Sequence, residues 1–133
     1  MSQENVESVR AVYEEWAKGN FRTGGDLWDR RVVFVPIAEL PDASEYFGLE
    51  GVTTFMRAFL QPWTNFTITA EELIEAGDSV VVVAHNRGEG RGSGLDAGME
   101  RQFHVWTFRG HAVIRFEAFR DRAEALEAVG LSE

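Results

Sequence analysis

The hydrophobic period changes once along this chain, and that change limits what it can fold into. Up to residue 60 apolar side chains recur at helical spacing; from Phe66 onward they alternate with period two. Helices therefore come first and a run of strands follows. That order specifies an α+β protein, with helices packed on one face of a curved antiparallel sheet, and the 133 residues suit one domain spanning 1–133.

Val6, Val9, Tyr13 and Trp16 share one helical face with Val12 beside them, opposite Glu4, Glu7, Glu14 and Glu15. Gly19 and Asn20 stop this helix, and residues 23–29 can form a short second one. The β-branched run Val32, Val33, Phe34, Val35 reads as a strand halted by Pro36. Residues 41–51 read as the longest loop, and Val52, Phe55, Met56, Phe59 and Leu60 mark a further helix ending before Pro62. The second half predicts a four-strand meander: from residue 66 to the turn Gly77-Asp78, 80–86, 102–109, and 112–119 after the turn Gly110-His111. Residues 87–98 read as a flexible hairpin connection, and 121–129 as a final helix capped by Asp121 and stopped by Gly130.

Charge and residue content exclude several functions. Thirteen Lys and Arg against twenty-two Asp and Glu leave a net charge of −9, which repels a phosphate backbone, so no nucleic-acid partner is expected. With no cysteine there is no disulfide, thiolate nucleophile or thiolate metal site. His85, His104 and His111 have no metal-ligand spacing, and neither metal nor cofactor is expected. No apolar run reaches membrane-spanning length and the first ten residues lack a signal-type apolar stretch, so a soluble cytoplasmic protein is expected. Gly88, Gly90, Gly92 and Gly94 precede a strand, where a phosphate loop would precede a helix. Asn65-Phe66-Thr67 has the form of a glycosylation site but no secretory signal to make it one.

Strand parity singles out two groups. His104 lies on the same face as Trp106 and Phe108, a polar group on an aromatic stripe that needs a partner if it turns inward. Arg115 and Glu117 share a face with Phe119, opposite Ile114, Phe116 and Ala118. By periodicity alone this pair is a salt bridge on the solvated side of the sheet, because charged residues are rarely buried.

A series of segments then carries a resemblance: Gly77-Asp78-Ser79-Val80-Val81-Val82, Arg91-Gly92-Ser93-Gly94, Val105-Trp106-Thr107-Phe108, Phe116-Glu117-Ala118-Phe119-Arg120-Asp121-Arg122 and Ala125-Leu126-Glu127-Ala128-Val129-Gly130-Leu131. Together with Gly19-Asn20, Val35-Pro36 and the Gly48-x-x-Gly51 helix entry, they resemble the SnoaL-like branch of the nuclear transport factor 2-like superfamily over nearly the whole chain. The resemblance implies a conical barrel of three to four helices on a strongly curved sheet, with an apolar pocket and commonly a homodimer. Members include ketosteroid isomerases, polyketide cyclases and epoxide hydrolases. Val35 stands where the isomerases carry their Asp base, and Val cannot move a proton. His104 falls on the isomerases' protonated Asp, while Val12 falls on their oxyanion Tyr, with Tyr13 adjacent. An ungapped match from Gly110 puts Arg115 and Glu117 on the cyclases' His-x-Asp pair, which lines the pocket. The epoxide hydrolases need two inward Asp residues that this chain does not offer.

On this reading a small apolar molecule binds among Tyr13, Trp16, Phe55, Phe59, Asn86 and Trp106. Glu117 is then the acid/base of a cofactor-independent isomerase or cyclase, His104 the donor to a developing oxyanion, and Arg115 the orienting charge. The alternative is a non-catalytic binding or dimerisation module, in which the same three residues hold the cone's shape. Parity turns Val81, Val83, Phe103 and Val105 outward, which motivates a homodimer through the outer sheet face, with His85 an interface candidate.

Overall fold

The computed structural model of the chain describes residues 2–21, 26–37, 45–90, 96–97 and 101–132. The elements are α1 (Ser2–Trp16), β1 (Trp28–Val35), β2 (Tyr46–Phe47), α2 (Gly48–Leu60), β3 (Trp63–Ala76), β4 (Ser79–Gly90), β5 (Asp96–Ala97), β6 (Arg101–Arg109), β7 (Ala112–Phe119) and α3 (Arg122–Ala128). They form an α+β fold, with three helices on one sheet in the order β2-β1-β7-β6-β4-β3 and β5 added on β4. The sheet is curled but not closed into a barrel, and among the described residues its one parallel pair, β1 with β7, brings the first strand against the last.

Four expectations change. The short helix over 23–29 lies partly outside the described residues, and Trp28 and Asp29 already belong to β1. The long loop over 41–51 is shortened, because Tyr46 and Phe47 pair with Phe34 and Val33 and α2 begins at once at Gly48. Gly48 permits this abrupt change of direction: its φ is +72° and a Cβ there would stand 3.1 Å from the Arg30 carbonyl oxygen. The connection over 87–98 is also partly strand, since β4 runs on to Gly90 and β5 pairs Ala97 with Gly88. Gly88 is a matter of space, because a Cβ would meet the Phe66 ring at 2.7 Å.

The fourth change concerns the helices. α1 and α2 cover the concave face, where Val9, Tyr13 and Trp16 pack against Val82, Ala84, Trp106 and Phe116. α3 instead lies on the opposite face, where Ala125 packs with Val81, Val83, Phe103 and Val105. Asp121 caps this helix as expected, its carboxylate accepting from the Ala123 amide at 3.0 Å. The apolar patch that motivates an outer-face dimer is thus covered by the chain's own last helix.

The concave core is aromatic. Phe34 and Phe116 stack with centroids 4.6 Å apart, and Trp28 stacks on Trp106 at 5.2 Å, contacts worth roughly 0.5–1.5 kcal/mol each beyond the area they bury. Asn5, which the hydrophobic pattern does not single out, ties α1 to the β6–β7 turn by donating to the Gly110 carbonyl at 3.1 Å.

Candidate functional site

A cavity of about 40 Å³ opens between α1, α2 and the concave face of the sheet. α1 contributes Trp16, β1 Phe34, α2 Phe55, Met56 and Phe59, β4 Asn86, β6 Gln102 and His104, and β7 Phe116 and Ala118; Pro36, Ile37 and Ile68 complete the lining. Period two explains the strand contributions. Gln102, His104 and Trp106 occupy successive inward positions of β6, and His104 and Trp106 face Ala118 and Phe116 across the β7 ladder. Gln102 could have been found in the sequence by the same count, two residues before His104.

Behind the cavity wall runs a hydrogen-bonded chain whose direction is fixed by chemistry. The Trp106 indole N–H can only donate, and it does so to the Tyr13 hydroxyl oxygen at 2.9 Å. The Tyr13 proton is then free for His104 Nδ1, 2.6 Å away, so that nitrogen accepts. His104 must carry its own proton on Nε2, which donates to Gln102 Oε1 at 3.0 Å. The opposite tautomer would leave the Tyr13 hydroxyl with two donors and no acceptor. Burial supports this assignment on both sides: it pushes the Tyr13 phenol well above its ordinary range and lowers His104 to about 3, so both are neutral near pH 7. Gln102, which borders the cavity, has its carbonyl engaged by His104, and that bond leaves its amide N–H groups unused.

Of the expected site residues, Trp16, Phe55, Phe59, Asn86 and His104 meet in the cavity. Tyr13 and Trp106 stand one layer behind it and hold His104. Arg115 and Glu117 do not join them. Both are partly exposed and pair with each other on the outer side of β7, Arg115 Nη2 donating to Glu117 Oε1 at 3.1 Å. Opposite them on β6 are Thr107 and Val105, which point away from the cavity.

The cause is a β-bulge. Thr107 pairs with Arg115 and Phe108 with Val113, so Ile114 is an extra residue on β7. Val113 before it and Phe116 after it are both buried inward, whereas an unbroken strand would send 113, 115 and 117 to one face. Counting from Gly110 without a gap crosses this bulge and reverses the parity. Glu117 instead borders an outer groove with Arg120, Glu124 and Glu127. Among the described residues no three His, Asp or Glu side chains gather as a metal site would require, and no helix is long and apolar enough to cross a membrane.

Residues 9–118 match the model of the SnoaL-like domain, and the chain belongs to that family. No functionally curated protein matches it. Among solved structures it is similar to a SnoaL-like candidate polyketide cyclase from Jannaschia sp. CCS1, with TM-score 0.76, 19% identity and coverage of 99% of this chain and 95% of that one. A hypothetical protein with a ketosteroid isomerase-like fold from Catenulispora acidiphila DSM 44928, in complex with trimethylamine, gives TM-score 0.72 at 19% identity, covering 94% and 93%. A protein of the nuclear transport factor 2-like fold from Burkholderia pseudomallei K96243 gives 0.74 at 22% identity, covering 95% and 97%. At these identities the likeness is one of fold.

Proposed function

We propose that the protein binds a compact, uncharged, largely apolar small molecule in the concave cavity, as a binding pocket and not as an acid/base catalyst. The observation that carries this is the lining: aromatic and aliphatic side chains, with Asn86, Gln102, His104 and the Trp16 indole as its polar groups. None of these is ionised near pH 7. A proton-transfer site needs a group able to accept or release a proton near that pH, and the carboxylate expected for the task, Glu117, lies on the other side of the sheet. His104 has both nitrogens engaged and titrates far too low to serve as a base.

Size points the same way. The cavity is a fraction of the roughly 150 Å³ that admits benzene to an apolar protein cavity. Admitting a ring therefore requires lining side chains to move, and on α2 Phe55, Met56 and Phe59 are only half-buried. The Catenulispora relative, crystallised with trimethylamine, is one protein of this fold holding a molecule of such compact size.

Titration with toluene, followed by tryptophan fluorescence and thermal shift, tests the proposal. Trp16 borders the cavity and Trp106 backs it, so occupancy changes emission. Saturable binding of toluene, and none of benzoate at the same concentration, is the expected result. Ala118→Val, which adds two carbons beside His104, should weaken toluene at least about tenfold, since filling the space excludes the ligand. Benzoate binding as well as toluene would overturn the uncharged-ligand reading.

A further inference from the structure

We propose that the cavity selects a ring carrying a hydroxyl group, a phenol or an alicyclic alcohol, and that the hydroxyl is held between Trp16 and Asn86. This rests on the binding-pocket reading and narrows it to a ligand class. Two buried side-chain polar atoms have no hydrogen-bond partner among the described residues, Trp16 Nε1 and Asn86 Oδ1. Both residues border the same cavity, and they are 5% and 6% exposed. Buried polar groups are ordinarily paired, because leaving one unpaired forfeits its hydration with nothing in return. Here the neighbouring polar groups Tyr13, His104 and Trp106 are all satisfied, which sets the two unpaired atoms apart.

The two unpaired atoms are opposite in kind. Trp16 Nε1 can only donate and Asn86 Oδ1 can only accept. A carboxylate would suit the indole but set an acceptor against the Asn86 oxygen, and an ammonium would suit Asn86 but set a donor against the indole. A ketone or ether meets the indole alone. A hydroxyl meets both, accepting from Trp16 through a lone pair and donating its proton to Asn86 Oδ1. Its second lone pair is open to the amide N–H that Gln102 keeps after engaging His104 through Oε1. One water molecule has the same capability, so the experiment must separate a selected hydroxyl from water that any apolar ligand leaves in place.

Calorimetric titration of the wild-type protein with phenol, anisole and toluene makes that separation. Phenol is expected to bind about tenfold or more tighter than toluene, with anisole between them because it keeps the acceptor and loses the donor. Trp16→Phe and Asn86→Leu both reshape the lining, so each is read by the ratio of phenol to toluene affinity in the same variant, which should fall toward one. Equal affinity for phenol and toluene in the wild-type protein overturns the inference, leaves the pocket intact, and assigns water as the partner of the two atoms. A phenol preference that survives both substitutions also overturns it, placing the hydroxyl elsewhere. Failure of all three probes to bind removes the pocket reading itself. Should a variant not fold, the wild-type comparison of phenol with toluene still decides.

Discussion

The two faces of β6 and β7 are built from alternate residues of the same strands and do opposite things with polarity. On the concave face, His104 and Trp106 are buried to within a few percent, and each polar atom has one partner of the right kind. On the outer face, Arg115 and Glu117 pair with each other at 42% and 29% exposure, beside an apolar patch that α3 covers. Solvent explains the difference. Where water is excluded, a charged or unpaired polar group is costly, so the Tyr13–His104–Trp106 network is neutral and specific; where water remains, an ion pair is cheap to form and contributes little. A residue's chemistry thus follows from its side of the sheet more than from its identity.

Removing one atom from the inner network should give the largest effect. Tyr13→Phe deletes the hydroxyl that accepts from Trp106 and donates to His104, leaving two buried groups unpaired at once. At roughly 1–3 kcal/mol each, the loss of stability should be about 2–6 kcal/mol, read from urea unfolding. A loss below about 1 kcal/mol would mean the inner face is no more demanding than the outer one.

Acid should distinguish the faces next. His104 is held near 3 in the folded protein and returns to about 6.5 on unfolding, so the unfolded chain takes up a proton that the folded one refuses. The contribution is complete above pH 6.5 and is lost progressively as the pH falls from there toward 3. Its slope approaches 1.4 kcal/mol per pH unit, on the order of 3 kcal/mol between pH 6 and 4. Comparing stability against pH for the wild-type protein and His104→Gln isolates this slope, which should be shallower in the variant. Identical slopes would show that His104 takes up its proton in the folded state as readily as in the unfolded one.

Much of this division was legible in the sequence. The period change gives the helices and strands, parity places His104 and Trp106 on one face, and the requirement that a buried histidine be partnered anticipates a group such as Tyr13. Parity also gives Arg115 and Glu117 as a surface pair. The likeness to the cyclases reversed that reading, because a count from Gly110 assumes an unbroken strand and Ile114 breaks it. A bulge inside a short strand leaves no mark in hydrophobic pattern beyond two adjacent half-buried residues, here Ile114 and Arg115. That the earlier strand can pair along an edge of the meander follows from the order of elements, but that it lies parallel to β7 does not, since parallel contacts between distant segments have no local signature. The position of α3 was hidden too: a seven-residue helix carries too few apolar positions to show which sheet face it covers.

The smallest effect is expected at Glu117, and it tests the division most directly. Glu117→Gln keeps the side chain's shape and removes the charge that Arg115 neutralises. With both groups partly in water, the change should cost less than about 1 kcal/mol of stability, a difference that 0.5 M salt in the unfolding experiment should largely erase. Toluene affinity should stay within about twofold, because Glu117 pairs with Arg115 on the outer side of β7 and screening is strong on the wet side of the sheet. A loss of binding of about tenfold would correspond to one good hydrogen bond. That result would place Glu117 in contact with the ligand, end the separation of the two faces, and restore the carboxylate that an acid/base mechanism needs.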